Sequence, residues 1–298
     1  MTTVYRGAVL HSLGPDRVEL LAPGLIEVDG AGTIQRVGRE ESIARAELRG
    51  TRRVDYGDRL LLPGLVDAHL HIPQIDIIGV ESEHLIDWLR DHIFKEEAAN
   101  EDPEIARDRA ARCFQELLRS GTTACAAYSS VHTRATEIAF EEAERAGVRA
   151  IIGKVLMDRE APSELLEESA TSLRDTERLI RQWNGRGEGR LAAAVTPRFG
   201  ITCSDELLLG AGKLATATGA RIQTHLSENK GELAAIHALF PEATDYTAVY
   251  ENAGLLRSGC LLAHCIHLSS DEIDRIAKAD AAAVYCPDSN FFLHSGRF

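Results

Sequence analysis

The stretch Leu62-Pro63-Gly64-Leu65-Val66-Asp67-Ala68-His69-Leu70-His71 decides how this chain is read. It overlaps an apolar run, Leu61 to Asp67, of the length a buried strand needs, and it closes on two histidines separated by one residue. At the end of a strand the two-residue period puts both imidazoles on the same side. In the mouth of a barrel one metal ion can take both. Taken alone, such a triplet is a weak signal, more often surface or core histidines than a metal site.

Downstream of this stretch, short apolar runs alternate with longer helical stretches, the pattern of βα units around a parallel sheet. The expected strands are Leu61 to Asp67, Thr122 to Ala127, Arg149 to Val155, Leu191 to Val195, Arg221 to Leu226, Cys260 to His264 and Ala281 to Cys286. Amphipathic helices are expected over Pro103 to Ser120, Arg134 to Ala146, Ser163 to Trp183 and Ser204 to Thr218, with Gly121, Gly147 and Gly219 at the handovers to strands. Upstream, β-branched segments broken by turn signals (Tyr5 to Leu10, Leu25 to Val28, Ile34 to Val37) predict hairpin strands. The fold expected is α/β: a (β/α)8-type barrel over residues 61–298 that lacks its last strand, preceded by an incomplete small β-sandwich portion over residues 1–60. In such barrels chemistry sits at the C-terminal ends of the strands. His69, His71, Arg198, His225 and His264 all fall there, while the strand interiors are apolar or small.

The formal charge of −13 provides no electrostatic footprint for nucleic acid or an anionic membrane. A small neutral or positive substrate fits it better. Met1 to Leu10 lacks the layout of a secretory signal and no apolar run reaches transmembrane length, so a cytoplasmic protein is expected. The six cysteines have no CxxC spacing and lie mostly in apolar runs, which predicts buried, reduced thiols.

The Leu62 to His71 string resembles the PGLVDxHxH signature of the amidohydrolase superfamily. His225-Leu226-Ser227-Glu228 after the fifth strand and His264 ending the sixth agree with it. Within the superfamily, further motifs resemble the guanine deaminase family: His71-Ile72-Pro73-Gln74, Trp88-Leu89 with Phe94, Gly121-Thr122-Thr123, Gly153-Lys154-Val155, Thr196-Pro197-Arg198-Phe199, Ser227-Glu228-Asn229 and Cys286-Pro287-Asp288-Ser289-Asn290. The likeness runs from about Leu61 to the end of the chain. It implies zinc-dependent hydrolysis of guanine to xanthine and ammonia, with one zinc per complete chain held by His69, His71 and His225. Glu228 would be the proton shuttle and His264 an orienting or electrostatic catalytic group. Gln74, Trp88, Arg198 and Phe199, together with His225 and Glu228, would contact the purine.

The family's remaining ligand, an aspartate ending the eighth strand, has no counterpart here, since Asp288 lies within the Cys286 to Asn290 motif. The chain is therefore expected to be C-terminally truncated, with a homodimer implied for the complete protein. Two other readings stay open: an amidohydrolase acting on another heterocycle, of deaminase or chlorohydrolase type, and a catalytically incompetent fragment that only binds.

Overall fold

The computed structural model describes residues 1–42, 50–80 and 85–298. They form two compact units, Met1–Leu65 and Val66–Phe298. In the first, strands β1 (Thr3–Gly14), β2 (Arg17–Val28), β3 (Ile34–Arg39) and β4 (Arg52–Leu61) make one sheet in the order β3-β2-β1-β4. The hairpin pairs are antiparallel and β4 lies parallel to β1. At the β2–β3 turn the Asp29 carboxylate accepts from the backbone N–H groups of Ala31 and Thr33, both at 2.9 Å, closing a local turn that needs no tertiary support.

Strand β4 was not expected, and the reason is physical. It is an edge strand, almost wholly exposed, and the charged run Arg52-Arg53-Val54-Asp55 carries no alternation for a buried face to impose. It also moves the start of the barrel. Leu61 ends β4, Pro63 and Gly64 interrupt the chain, and the first barrel strand is Leu65–His71 rather than Leu61 to Asp67, so the units divide at Leu65 instead of at residue 60.

The second unit holds β5 (Leu65–His71), β6 (Thr122–Tyr128), β7 (Arg149–Leu156), β8 (Leu191–Pro197), β9 (Arg221–Leu226), β10 (Cys260–His264) and β11 (Ala282–Val284). They neighbour one another in strict sequence order, with parallel pairing from β6 through β11. Among the described residues this is an α/β barrel sheet of seven strands. Its last strand is shorter than the expected Ala281 to Cys286, because the backbone turns into the helix Pro287–Phe292.

Helices punctuate the strands where the sequence signals them. Asp102 caps Pro103–Arg119, Ser204 caps Asp205–Thr218, and Gly147 and Gly219 leave their helices with φ of 76° and 68°, a conformation open to glycine without steric cost. The expected helix from Ser163 to Trp183 is instead a 3-10 turn, Ser163–Leu165, followed by Ser169–Trp183. The break lets Glu167 turn inward to the buried Lys154 ammonium, which also donates to Ser172 at 2.9 Å. Inside the sheet space is scarce: a Cβ on Gly153 would stand 1.7 Å from Thr196 Oγ1, so only glycine fits there. Of the six cysteines five are buried. No helix among the described residues is long and apolar enough to cross a membrane.

Candidate active site

The parallel sheet brings the C-terminal ends of β5, β8, β9 and β10 to one face, and with them the residues that the sequence marked. His69, His71, Gln74, Trp88, Arg198, Phe199, His225, Glu228 and His264 line a single cavity of about 170 Å³. That is below the roughly 300–1,000 Å³ usual for drug-sized ligands and suits one small heterocycle.

Four imidazoles form its floor. His69 and His71 meet edge to face with ring centroids 5.1 Å apart, as the two-residue period requires. His225 stacks on His264 at 5.4 Å and 17°. Ligand nitrogens of His69, His225 and His264 all lie within 4.8 Å of one another, and His71 Nε2 lies 3.0 Å from His225 Nε2. Burial is the main cause that lowers the basicity of all four; the pKa of His71 falls to about 4 despite the opposing pull of Glu97. Neutral imidazoles are what a metal ion requires.

The donor set fits a cation. His225 Nδ1 lies 2.7 Å from the Arg198 carbonyl oxygen, which can only accept, so Nδ1 carries the proton and Nε2 is left with a lone pair. His71 Nδ1 lies 3.7 Å from the Glu97 carboxylate. A proton kept on that nitrogen leaves the two Nε2 lone pairs facing each other at 3.0 Å, a repulsive arrangement that a cation converts into ligation.

Glu228 is 5% exposed and faces the same cavity. It is not the helix cap: Asn229 caps Lys230–Leu239, and Glu232 completes a capping box. Burial pushes the Glu228 carboxyl up to about 8, against the pull of Arg198; a divalent cation among the histidines would act in the same direction as Arg198. Ser227, at φ 52°, turns the chain so that Glu228 follows β9 into the cavity. Glu232 holds this turn, accepting from the backbone N–H of Glu228 at 2.8 Å while Tyr246 donates to its other oxygen at 2.9 Å.

Arg198 is buried and ion-paired with Glu97, which is 0% exposed. Its guanidinium also lies 5.6 Å from the centroid of the Phe94 ring. For the Glu97 carboxyl, burial works to raise the pKa, but the charge of Arg198 and the contact with His71 outweigh it and the net shift is downward. One carboxylate thus touches both halves of the cavity, through His71 and through Arg198. Trp88 has its indole N–H engaged by the Val80 carbonyl at 2.8 Å, which fixes the ring at the cavity wall. Phe199 is buried with its ring 6.5 Å from that of His225, and Gln74 comes from the 3-10 turn Ile72–Ile77 after β5.

Sequence reading did not find Glu97, Glu232 or Tyr246. The one available signal was that Glu97 belongs to the helical segment that also carries Trp88 and Phe94. Asp288 is exposed, and among the described residues no aspartate lines the cavity.

A family model for the amidohydrolase family matches residues 60–298. The chain belongs to the amidohydrolase family. Guanine deaminase of Escherichia coli (strain K12) is 38% identical over 269 residues, covering 90% of this chain and 61% of that protein. The chain therefore spans about three fifths of that relative's length. The crystal structure of guanine deaminase from C. acetobutylicum with guanine bound in its active site superposes with a TM-score of 0.93 at 32% identity, covering 99% of this chain and 70% of that one. An adenosine deaminase from Xanthomonas campestris with bound zinc gives a TM-score of 0.86 at 25% identity, covering 99% of this chain and 64% of that one.

Proposed function

We propose that the complete protein hydrolyses guanine to xanthine and ammonia with one zinc ion per chain. The observation that carries this reading is the single cavity in which His69, His71, His225, Glu228 and His264 share walls with Gln74, Trp88, Arg198 and Phe199. The guanine held by the similar C. acetobutylicum enzyme supports the choice of purine.

His69, His71 and His225 would hold the zinc, with His264 beside it. Bound there, zinc supplies a water that is nucleophilic at neutral pH, its pKa lowered to about 7. Glu228 takes a proton from the attacking water and passes it to the ring nitrogen beside the carbon under attack; as the new C–O bond becomes the xanthine carbonyl, the water's second proton passes to the amino group, the C–N bond breaks and ammonia leaves. The same division of labour, with a non-ligand glutamate moving the proton, serves the unrelated cytidine-type zinc deaminases. Burial raises the affinity of the Glu228 carboxyl for the proton it holds between the two transfers.

Arg198 recognises the purine. Glu97 fixes one arm of the guanidinium, and the remaining N–H donors serve the guanine carbonyl and the neighbouring ring acceptor. Adenine carries an amine donor where guanine carries that carbonyl, so the same arginine repels it. Gln74 donates and accepts at the polar edge, Phe199 flanks the ring and Trp88 caps it. The cytoplasmic setting and the homodimer of the complete protein belong to the same proposal.

Product release from the zinc-loaded complete gene product, read as ammonia for guanine, adenine, cytosine and S-adenosylhomocysteine and as chloride for a chlorinated triazine, tests this choice. Guanine is expected to be turned over and the others are not. Preferred turnover of another ring would assign the cavity to that heterocycle, and no turnover by folded, zinc-bound protein would leave it a binding site.

A further inference from the structure

The Cys286 to Asn290 motif lies next to the cavity and has no part in the chemistry above. Asn290 is 0% exposed, on the short helix that follows β11, and its backbone is fastened on both sides: its N–H donates to the Cys286 carbonyl and its carbonyl accepts from Ser295, both at 2.9 Å. Its side-chain oxygen lies 2.8 Å from His264 Nδ1. The geometry points to Asn290 as the positioning residue that keeps the His264 proton on Nδ1 and thereby turns the Nε2 lone pair toward the reacting water.

Three observations support this. First, His264 needs holding. It is a buried, non-glycine residue at φ 72°, followed by Cys265 at φ 50°, and such backbone persists only where surrounding contacts over-determine it. Second, its stacking partner His225 has its tautomer set by a backbone carbonyl, which leaves no choice: proton on Nδ1, lone pair on Nε2. An acceptor oxygen at His264 Nδ1 gives the second ring the same polarity, and both then present the same kind of edge to the cavity. The Nε2 so exposed stands 3.5 Å from Glu228 Oε2 and belongs to the nitrogen cluster shared with His69 and His225. Third, Asn290 Nδ2 is buried without a partner. An amide that leaves its own donor unpaired stabilises the fold less than a satisfied or apolar group would, so its presence calls for another explanation. The opposite amide orientation would aim N–H groups at Nδ1 and move the His264 proton to Nε2, pointing a donor instead of an acceptor at the water.

The test reads the ring directly. In the complete gene product, 15N-labelled at histidine and stripped of metal by a chelator, the ring-nitrogen resonances of His264 are assigned by their loss in His264→Gln. Wild type is expected to show Nδ1 protonated and Nε2 bare. Asn290→Asp, which keeps an acceptor, should preserve that pattern, and Asn290→Leu should shift the ring toward the Nε2-protonated form. With zinc restored, Asn290→Leu should lower kcat for guanine by roughly 10- to 100-fold, the usual effect of removing an outer partner of a metal-site histidine, with KM unchanged and with Asn290→Asp partly rescued. The kinetic arm rests on the guanine reading; the spectroscopic arm needs no substrate, so the two can fail separately. An Nε2-protonated His264 in wild type, or wild-type tautomer and turnover in Asn290→Leu, would overturn the assignment. Should Asn290→Leu fail to fold, the wild-type and Asn290→Asp spectra still decide it.

Discussion

Glu228→Gln is expected to retain zinc and guanine binding while turnover falls by at least the ~10²-fold typical of losing general acid–base help. Glutamine copies the shape and burial of the side chain but cannot carry a proton from water to ring. The same burial that suits the carboxyl to its task opposes folding in the absence of metal. Its folded-state pKa, raised to about 8, lies above the ordinary carboxylate value, so the folded state binds the proton more tightly than the unfolded one. Stability from this group is therefore fully present below the unfolded pKa and declines as pH rises from about 4.5 to about 8. Metal-free Glu228→Gln should accordingly be more stable than metal-free wild type above pH 8, as read by urea unfolding. Near-normal turnover, with or without that gain, would remove Glu228 from the proton path.

Arg198→Ala is expected to cost stability before it reports on recognition. Glu97 is wholly buried against Arg198, and removing one partner of a buried ion pair typically costs about 3–5 kcal/mol because the other charge is left uncompensated. The double variant Glu97→Gln/Arg198→Gln removes both charges and should recover most of that loss in urea unfolding. Because Glu97 also faces His71, its kinetics report recognition once its zinc content is shown to match wild type. A raised KM for guanine and an eroded preference over adenine, worth about 1–3 kcal/mol, are expected from the guanine carbonyl left without its donor. Equal stability of the single and double variants would show that the pair does not hold the site together.

The convergence of the histidines was legible in the sequence because its logic is local. His69-x-His71 closes a strand, His225 and His264 close two more, and parallel strands entered in order bring their ends to one face. The other half was not legible, because it is made by a long-range contact. Arg198 and Glu97 are 101 positions apart, and Glu97 sits in a Glu96-Glu97 pair that looks like solvated helix surface. The helical segment that carries it includes a π-helical stretch, Leu89–Ile93, between two α-helical pieces. That insertion rotates the face presented after it, so counting by α-helical period from Trp88 misplaces Glu97. Strand β4 was missed for the opposite reason: an exposed edge has no buried face to write alternation into the sequence. Glu232 lies in the first turn of its helix, where an acidic residue is ordinary, and only the packing of Tyr246 against it shows that it holds the turn carrying Glu228.

The most direct test of a zinc-centred guanine site measures bound zinc and xanthine formation together, in the complete gene product and in its His71→Ala variant. Wild type should bind one zinc per chain and form xanthine in proportion to it, losing both on chelation and regaining both on re-addition. His71→Ala should lose most of the metal and the activity in step. Full zinc occupancy in folded His71→Ala, or zinc-loaded wild type that leaves guanine intact, would contradict the account.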